Sequence, residues 1–281
     1  IYNHVLLEIG KIPLNKLSQN DLQQFYGRLK KNGRKRLTEQ YGAGLSDRMV
    51  RMCHAVCRSA LERAVRDDLL RTNPAIGCKL PPKKAKEMQV LDREELQKFL
   101  IQAQADGYYE LFLLDLCTGL RRGELIALQW DDLNFETGVL TVNKQAYTVN
   151  GELQIIPPKT KASMRKLVLP PAVLAVLREY RRKVDSRWMF PSPVKADRPI
   201  TPGVARRRLQ TILERADCKR VRFHDLRHTF ATLALENGMD VKTLSAMLGH
   251  VSAVTTLDIY THAFDKNKKA ASAGLQGILE I

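Results

Sequence analysis

The sequence has no long apolar run, and this absence argues against a membrane protein. No stretch of its 281 residues approaches the roughly 20 apolar residues that a helix needs to span a bilayer, and the amino terminus has no features of a signal peptide. Hydrophobic residues make up 44% of the chain, which is enough for one large or two ordinary domains. The chain starts at Ile1 without a methionine, so we expect a piece of a longer protein.

Cysteines are few, and their number and spacing exclude two common kinds of site. The chain has five, an odd number scattered through apolar surroundings, which does not fit a disulfide framework and favours a reducing, intracellular setting. Cys53 and Cys57, with His54 beside them, supply only two thiols on one helical face, and no second Cys/His pair completes a tetrahedral zinc site. We therefore predict cysteines that pack in the core and no metal site.

Acidic residues are scarce relative to basic ones. Lys and Arg number 46 against 30 Asp and Glu, which gives a net charge of +16 and a pI of about 9.8. This excess predicts a polyanionic partner, and the missing membrane segment favours nucleic acid over an anionic bilayer. Residues 1–86 hold 18 Lys and Arg against 7 Asp and Glu, which is 11 of the 16 net charges. The first third is therefore predicted to bind phosphates, and the remainder to be an enzyme body with local basic sites.

Periodicity divides the chain into a helical first third and a mixed remainder. Residues 15–32, with Ser18 or Asn20 as the cap, are predicted to be an amphipathic helix, and so is the segment that follows the cap Ser46. The stretch "PPKKAKEMQV", residues 81–90, joins two prolines to a lysine run and is typical of an extended linker. A second domain opens at Asp92, a predicted N-cap with Glu95 at the capping-box position.

The period changes in the middle of the second domain. Three strands are predicted by the alternating stretches "GVLTVNKQAYTV", "GELQIIPP" and "RKLVLP", with Asn150-Gly151 as a hairpin turn. Helical periodicity then returns and predicts helices at 171–183, 202–216, 225–237, 240–248, 252–263 and 266–279. The predicted fold is therefore mainly α with a small antiparallel β-sheet.

Six residues carry the functional prediction, although each alone has a structural interpretation as a surface charge, a cap or a packing residue. His224 and Arg227 share a face at the start of a predicted helix, where free N–H groups and the helix dipole favour anions. Arg121 and Arg227 could clamp a phosphate and stabilise the charge of a pentacoordinate transition state. The full set is Arg121, Lys159, His224, Arg227, His250 and Tyr260.

Phosphodiester cleavage also needs a nucleophile and a general acid. Asp and Glu form no pattern that would hold Mg²⁺, since "WDDL" offers two neighbours in a turn and no third ligand. Tyr260 is therefore the predicted nucleophile, although a tyrosine is only about 0.1% ionised at pH 7. Two guanidinium groups and a base such as His224 would have to offset the cost of about 4 kcal/mol. Lys159, on a hairpin turn, is the predicted proton donor to the leaving alkoxide, and His250 would hydrogen-bond the phosphate.

These residues lie in five motifs whose order resembles that of the tyrosine recombinase (phage integrase) family, and looks most like integrases of conjugative transposons. The motifs are "TGLRRGEL", "KTKASMR", "HDLRHTFAT", "LGH" and "TTLDIYTH". The resemblance covers nearly the whole chain. It implies a helical core-binding domain, 1–80, a basic linker, 81–90, and a mixed α/β catalytic domain, 91–265, which form a clamp around DNA. The tail, 266–281, resembles a segment that docks onto a neighbouring protomer, and the alternative is that it folds back on its own domain.

The resemblance implies an enzyme that needs no metal, ATP or other cofactor. The six residues would take the family's catalytic roles, and Tyr260 would form a 3′-phosphotyrosyl bond and release a 5′-hydroxyl. A 5′-hydroxyl of a partner duplex would then attack that bond and rejoin the DNA, which would excise or integrate a mobile element. Lys161 is an alternative to Lys159 as the general acid, and Arg122 neighbours Arg121. His228 and His262 are expected to support the site rather than react.

The resemblance also implies partners and a location. The partners would be double-stranded DNA, further copies of the chain in a dimer to tetramer, and an accessory directionality factor, all in the bacterial cytoplasm. An N-terminal domain that binds arm-type DNA sites is common in the family, and none is visible in this sequence. DNA contacts are predicted at basic residues of the first third and the linker: Arg34, Lys35, Arg36, Arg48, Arg51, Lys83 and Lys84.

Three other functions stay open on the sequence. A non-catalytic helix–turn–helix protein would explain the charge and "FATLALENGMDVKTLSAMLGH", with Gly238 at the turn, but not Arg121, Lys159 or Tyr260. A type IB topoisomerase would use the same tyrosine chemistry to relax supercoils. A metal hydrolase built on His224-Asp225 would lack the ligands that it needs.

Overall fold

The chain folds into two compact units in the computed structural model, which comprise Ile1–Glu87 and Met88–Ile281. The structure describes residues 2–83, 88–158, 164–250, 252–257 and 259–260. Within these ranges, no helix combines the length and the apolar character that a bilayer span requires.

The first unit is helical and is built around two long helices. Ser18 and Ser46 cap them as predicted, each side chain accepting a hydrogen bond from a backbone N–H of the first turn. The apolar faces of the two long helices form one core in which Phe25 and Tyr26 pack with Cys57. Its helices are α1 (Val5–Glu8), α2 (Gln19–Asn32), α3 (Thr38–Tyr41) and α4 (Asp47–Arg66), with a 3₁₀ turn at Leu14–Lys16.

The second unit is mainly helical around a larger core. Asp92 and Glu95 form the predicted capping box at its first helix. The edge-to-face pair Phe99 and Phe112, with ring centroids 5.0 Å apart, lies in the main core. The helices are α5 (Arg93–Ala105), α6 (Tyr109–Thr118), α7 (Arg122–Ile126), α8 (Pro171–Arg181), α9 (Pro202–Arg215), α10 (Phe223–Glu236) and α11 (Val241–Leu248), with a 3₁₀ turn at Trp130–Asp132. Residues 253–257 and 259–260 are also helical.

The strands form two antiparallel pairs where a three-stranded sheet was predicted. The stretch "GVLTVNKQAYTV" is two strands, because Lys144 lies between them and its Nζ forms an ion pair with the buried Asp132 at 2.5 Å. Asn150 and Gly151, with φ of 51° and 86°, make the predicted hairpin turn. The strands are β1 (Val139–Val142), which pairs with β4 (Arg165–Val168), and β2 (Gln145–Val149), which pairs with β3 (Glu152–Ile156).

A tight contact between α6 and α10 fixes the path of the backbone just before Arg121. Gly119 ends α6 with a φ of 58°, and a Cβ added there would lie 2.4 Å from Cδ1 of Phe230 on α10. Only glycine combines this backbone conformation with so close an approach. The chain therefore turns directly from the end of α6 into Arg121 and α7.

Candidate active site

The first turn of α10 gathers the titratable residues that the sequence singles out. The helix starts at Phe223, two residues earlier than predicted, because Arg222 is its N-cap. Asp225 caps it from within the first turn: its Oδ2 accepts the backbone N–H of Arg222 at 2.7 Å, and its Oδ1 accepts Nη2 of Arg222 at 2.7 Å. Asp225 therefore holds the first turn, and His224 and Arg227 lie on either side of it on the helix.

Arg227 is buried and ties together the ends of two helices. Its side chain is only 2% exposed, with Nη1 donating to the carbonyl of Gly119 and Nη2 to that of Leu248, both at 2.7 Å. These carbonyls belong to helix C-termini, where the dipole favours a cation. Burial, and then the charge of Arg121, lower the pKa of Arg227 to about 10, so the group stays charged at neutral pH.

Arg121 meets Arg227 at the same helix end, although 106 residues separate them in sequence. Its Nη2 donates to the carbonyl of Gly249 at 3.0 Å, one residue after the carbonyl that Arg227 binds. Its Nη1 donates to Oε1 of Glu124 at 2.8 Å, and its side chain is 37% exposed. The two guanidinium groups thus converge on the C-terminus of α11, with Arg121 toward solvent and Arg227 behind it.

Glu124 orients this pair, and the sequence reasoning missed it. The carboxylate is 2% exposed and also accepts Nη2 of Arg165 at 2.8 Å, while Nε of Arg165 donates to the carbonyl of Met247 at 2.6 Å. Burial alone would raise the pKa of Glu124, but hydrogen bonds from Arg165, with smaller contributions from Arg121, hold it below 4.5. The available signal was a carboxylate three residues after Arg121, a spacing at which two side chains of a helix can meet.

Two histidines at the site are neutral at pH 7. Burial, and then the charges of Arg227 and Arg121, lower the pKa of His250 to about 4. Burial and His224 do the same for His228, whose ring lies edge-on to that of His224 at 4.8 Å. Nδ1 of His250 is 2.8 Å from the buried hydroxyl of Thr256. When that hydroxyl donates to Nδ1, the imidazole carries its proton on Nε2 and can donate it to an anion.

Tyr260 lies in the same core cluster as α10 and α11, with 3% of its surface exposed. Its hydroxyl is 2.7 Å from Nδ1 of His228, so the histidine that contacts it is His228 rather than His224. Burial raises the pKa of Tyr260 to about 12, and the charge of Arg227 opposes this rise. The phenol is therefore protonated at neutral pH and buried.

The structure brings together five of the six predicted catalytic residues in the second unit. Lys159 and its alternative Lys161 lie outside the described residues, as do Lys84, His262 and the predicted docking tail, 266–281. In the part of the chain that is described, no group of three His, Cys, Asp or Glu side chains is placed to hold a metal ion.

The predicted DNA contacts that the structure describes all belong to the first unit. Arg34 lies over the ring of Tyr41 at 5.3 Å, and Nε of Arg51 donates to the carbonyl of Pro81 at 2.8 Å, so these two are partly engaged within the protein. The others are exposed: Lys35, Arg36, Arg48 and Lys83.

Comparisons of the sequence and of the fold with known proteins agree with each other. Residues 89–267 match the sequence model of the phage integrase family. The ICEBs1 integrase of Bacillus subtilis strain 168 is 27% identical over 93% of this chain and 73% of its own length. A tyrosine recombinase XerC of Xanthomonas campestris pv. campestris is 30% identical over 82% of this chain and 68% of its own. The fold is similar to that of the Tn1549 transposon integrase in complex with transposon right end DNA, with a TM-score of 0.78, 23% identity and coverage of 95% and 88% of the two chains.

Proposed function

Because the chain belongs to the phage integrase family, we propose that it is a site-specific DNA recombinase that excises and integrates a mobile element through a 3′-phosphotyrosine intermediate. One observation carries the proposal: Arg121 and Arg227, far apart in sequence, converge on consecutive carbonyls at the end of α11, and Tyr260 packs in the core cluster of that same helix. This arrangement can clamp a phosphate beside a nucleophile.

The two arginines and His250 act on the scissile phosphate. Their guanidinium groups neutralise the charge that grows on the non-bridging oxygens as phosphorus becomes pentacoordinate. Neutral His250 adds a hydrogen bond from Nε2, because its Nδ1 faces Thr256. Glu124 keeps Arg121 at its angle through the ion pair at 2.8 Å. All of these groups stabilise charge without changing their own protonation state.

Tyr260 supplies the covalent step. Its oxygen attacks phosphorus, the bond from phosphorus to the 5′-oxygen breaks, and the leaving 5′-oxygen takes a proton, for which Lys159 or Lys161 is the proposed donor. A 5′-hydroxyl then attacks the phosphotyrosine and frees the tyrosine. One phosphodiester is broken for each one formed, so no ATP is needed. His228, within 2.7 Å of the phenol, holds its hydroxyl before the reaction, and His224, one turn earlier on α10, is the proposed base that takes the phenolic proton as the phosphate draws Tyr260 toward the arginines.

The two units would divide the work of binding and catalysis. The first unit, with its linker, is the proposed core-binding domain, because residues 1–86 hold most of the net charge. Exchange between two duplexes cuts four strands and each cut uses one tyrosine, so we propose a homo-oligomer of up to four chains on DNA. Cleavage and rejoining break and form the same kind of bond, so the chemistry itself favours neither excision nor integration. The proposal therefore includes an accessory directionality factor. The site of action would be the bacterial cytoplasm.

The decisive experiment uses a nicked duplex that traps the covalent intermediate. The protein is incubated in EDTA with duplexes that carry candidate element junctions, and covalent adducts are separated on a denaturing gel. We expect an adduct with the wild type and none with Tyr260→Phe. Arg227→Ala should lose the adduct while it keeps most of its DNA affinity.

Other outcomes would favour the competing functions. Binding without an adduct on any junction favours the helix–turn–helix protein, and cleavage that requires a metal and leaves no adduct favours a hydrolase. An adduct with relaxation of supercoils but no strand exchange between duplexes favours a type IB topoisomerase. Equal loss of binding and adduct in Arg227→Ala would make Arg227 a docking residue.

A further inference from the structure

Arg122 differs from the other sheltered arginines around the active site. Arg121, Arg165 and Arg227 each donate to a carboxylate or to backbone carbonyls. Arg122 is half-buried, yet within the described residues it has no hydrogen bond and no ion pair. Its nitrogen atoms are also not sealed from solvent, since none is among the buried polar atoms without a partner. The group is therefore a partly desolvated cation whose donors remain available.

A second unpaired arginine lies close to it. Helix α7, which starts at Arg122, packs against α9, and Arg206 on α9 is exposed and likewise has no acidic partner in the described part of the chain. Burial, and then the charge of Arg206, lower the pKa of Arg122. Arginine does not lose its proton in proteins at neutral pH. The packed helices α7 and α9 thus each carry an arginine without an acidic partner in the described residues, and an anion held between them would relieve the repulsion of these like charges.

The position of Arg122 is fixed by tight packing of the backbone that follows it. A Cβ added at Gly123 would lie 2.7 Å from the carbonyl oxygen of Ala146 on β2, so α7 is pressed against that strand. Helix α9 packs against both α7 and β2, and its buried Ala205 precedes Arg206. Both arginines therefore lie on helices that pack against each other and against β2 rather than on loops, which favours a site that exists before the ligand arrives.

We propose that Arg122 and Arg206 form a second phosphate site, which holds a DNA backbone phosphate near the scissile phosphate and fixes the register of the strand at Tyr260. The inference rests on the proposed function, because it takes DNA as the ligand. Two guanidinium groups match the paired non-bridging oxygens of a phosphodiester. Arg122 follows Arg121 directly, with Cα atoms about 3.8 Å apart. Because Arg121 belongs to the proposed clamp on the scissile phosphate, the second phosphate is expected within a few nucleotides of the cut.

Neutralising single phosphates tests the site directly. The duplex is one in which the wild type forms its adduct and the cut bond has been mapped. Each backbone phosphate within five nucleotides of the cut is replaced in turn by an uncharged methylphosphonate, and binding is measured for the wild type and for Arg122→Gln/Arg206→Gln. We expect one position at which the wild type loses affinity several-fold and the double variant loses none.

The salt dependence of DNA affinity gives an independent readout that does not require DNA cleavage. Each neutralised phosphate contributes about 0.9 to the slope of log affinity against log salt. Because both arginines serve one phosphate, the double variant should lose about 0.9 of slope, and the two single variants should not add up to twice that. A fourfold rise in salt should then weaken the double variant about threefold less than the wild type. Arg206→Lys, which keeps a charge, should retain most of the slope.

Arg208→Gln is the matched control, because it removes one charge from the same helix and its guanidinium lies over the ring of Tyr108 at 5.2 Å. It should leave the methylphosphonate profile unchanged, and thermal unfolding should show all variants folded. The proposal is overturned if no methylphosphonate position lowers the DNA affinity of the wild type more than that of the double variant. It is also overturned by a loss that follows 7-deazaguanine rather than methylphosphonate, which would mean base readout. If the wild type forms no adduct, the proposed function fails, and the slopes on a bound duplex still decide whether this site exists.

Discussion

Tyr260 is the proposed nucleophile, and its surroundings in the structure disfavour its ionisation. Its hydroxyl is buried and bound to His228, and its pKa of about 12 makes ionisation harder than for a tyrosine in water. The nearby charge of Arg227 acts in the opposite direction. A phosphate that drew the phenol toward the arginines would remove it from the environment that raises its pKa. In the proposed mechanism, the buried state protects Tyr260 until DNA is bound.

Replacing His228 by alanine should expose Tyr260. The change leaves a buried hydroxyl without its partner, which costs about 1–3 kcal/mol and favours states in which Tyr260 reaches water. Tetranitromethane treatment followed by peptide mass spectrometry should then show faster nitration of Tyr260 than in the wild type. Tyr147, which is 55% exposed, and Tyr26, which is 2% exposed, serve as fast and slow internal controls. Equal nitration of Tyr260 in both proteins would show that His228 does not retain it.

The residue types of the site could be predicted from sequence, but their contacts could not. Arg121, His224, Arg227, His250 and Tyr260 are recognisable because reactive side chains recur in ordered motifs. Contacts such as that of His228 with Tyr260, 32 residues away, depend on how α10 packs, and local periodicity carries no such information. The burial of a side chain is equally hard to predict from the sequence. Asp115 reads as a polar residue of an apolar helix, yet both of its carboxylate oxygens are buried without a partner, and burial raises its pKa well above the usual range.

At the scale of elements, one carboxylate connects three of them at the site. Glu124 on α7 binds Arg165 on β4, and Arg165 in turn binds the Met247 carbonyl near the end of α11. Arg121 completes this network by donating hydrogen bonds to Glu124 and to the carbonyl of Gly249. The position of the proposed phosphate clamp therefore depends on the packing of α7, β4 and α11 as a group.

Replacing Glu124 by glutamine should damage both stability and catalysis. Removing one partner of a buried ion pair costs about 3–5 kcal/mol, and a misplaced clamp should slow adduct formation about 10²-fold. The folded pKa of Glu124 lies below 4.5, so its stabilisation is complete above that pH and is lost as pH falls through the folded pKa. The stability gap between wild type and variant should thus be full at pH 7 and shrink below about 4.5.

The matched control for this change is Glu94→Gln. Glu94 also pairs with a cation, Lys98, but its side chain is 77% exposed, and such pairs contribute about 0–1 kcal/mol. Thermal unfolding from pH 3 to pH 8 measures both variants. A loss as small for Glu124→Gln as for Glu94→Gln, or one that does not change with pH, would contradict the structural role given to Glu124.

The elements themselves follow from the sequence where local signals decide them. The caps at Ser18, Ser46 and Asp92 and the Asn150-Gly151 turn are set by neighbours within a few residues, and these predictions are confirmed. The single predicted strand across residues 138–149 was wrong, because the change of partner at Lys144 is a tertiary event that leaves the alternation of side chains intact. The early start of α10 was missed because arginine is not a usual N-cap.

At the scale of the whole molecule, the two units differ in charge as they differ in fold. The first third carries 11 of the 16 net positive charges, while Arg121, Arg165 and Arg227 of the second unit are largely occupied by Glu124 and helix-end carbonyls. Affinity for DNA and reaction on DNA should therefore be separable by mutation. Variants in the first unit should change binding and its salt dependence, and variants around Tyr260 should change the adduct.

The loop between α2 and α3 offers the sharpest test of this separation. Changing Arg34, Lys35 and Arg36 together to glutamine removes three charges from the first unit, and if each binds a phosphate the salt slope should fall by up to about 2.7. Adduct formation at saturating protein should stay near the wild-type rate, because these residues belong to the first unit and Tyr260 to the second. The control removes three exposed lysines of the second unit, Lys183, Lys195 and Lys242, and should lower the slope less. If the two triple variants lowered the slope equally, binding would follow the net charge of +16 alone, and the basic first unit would have no special part in holding DNA.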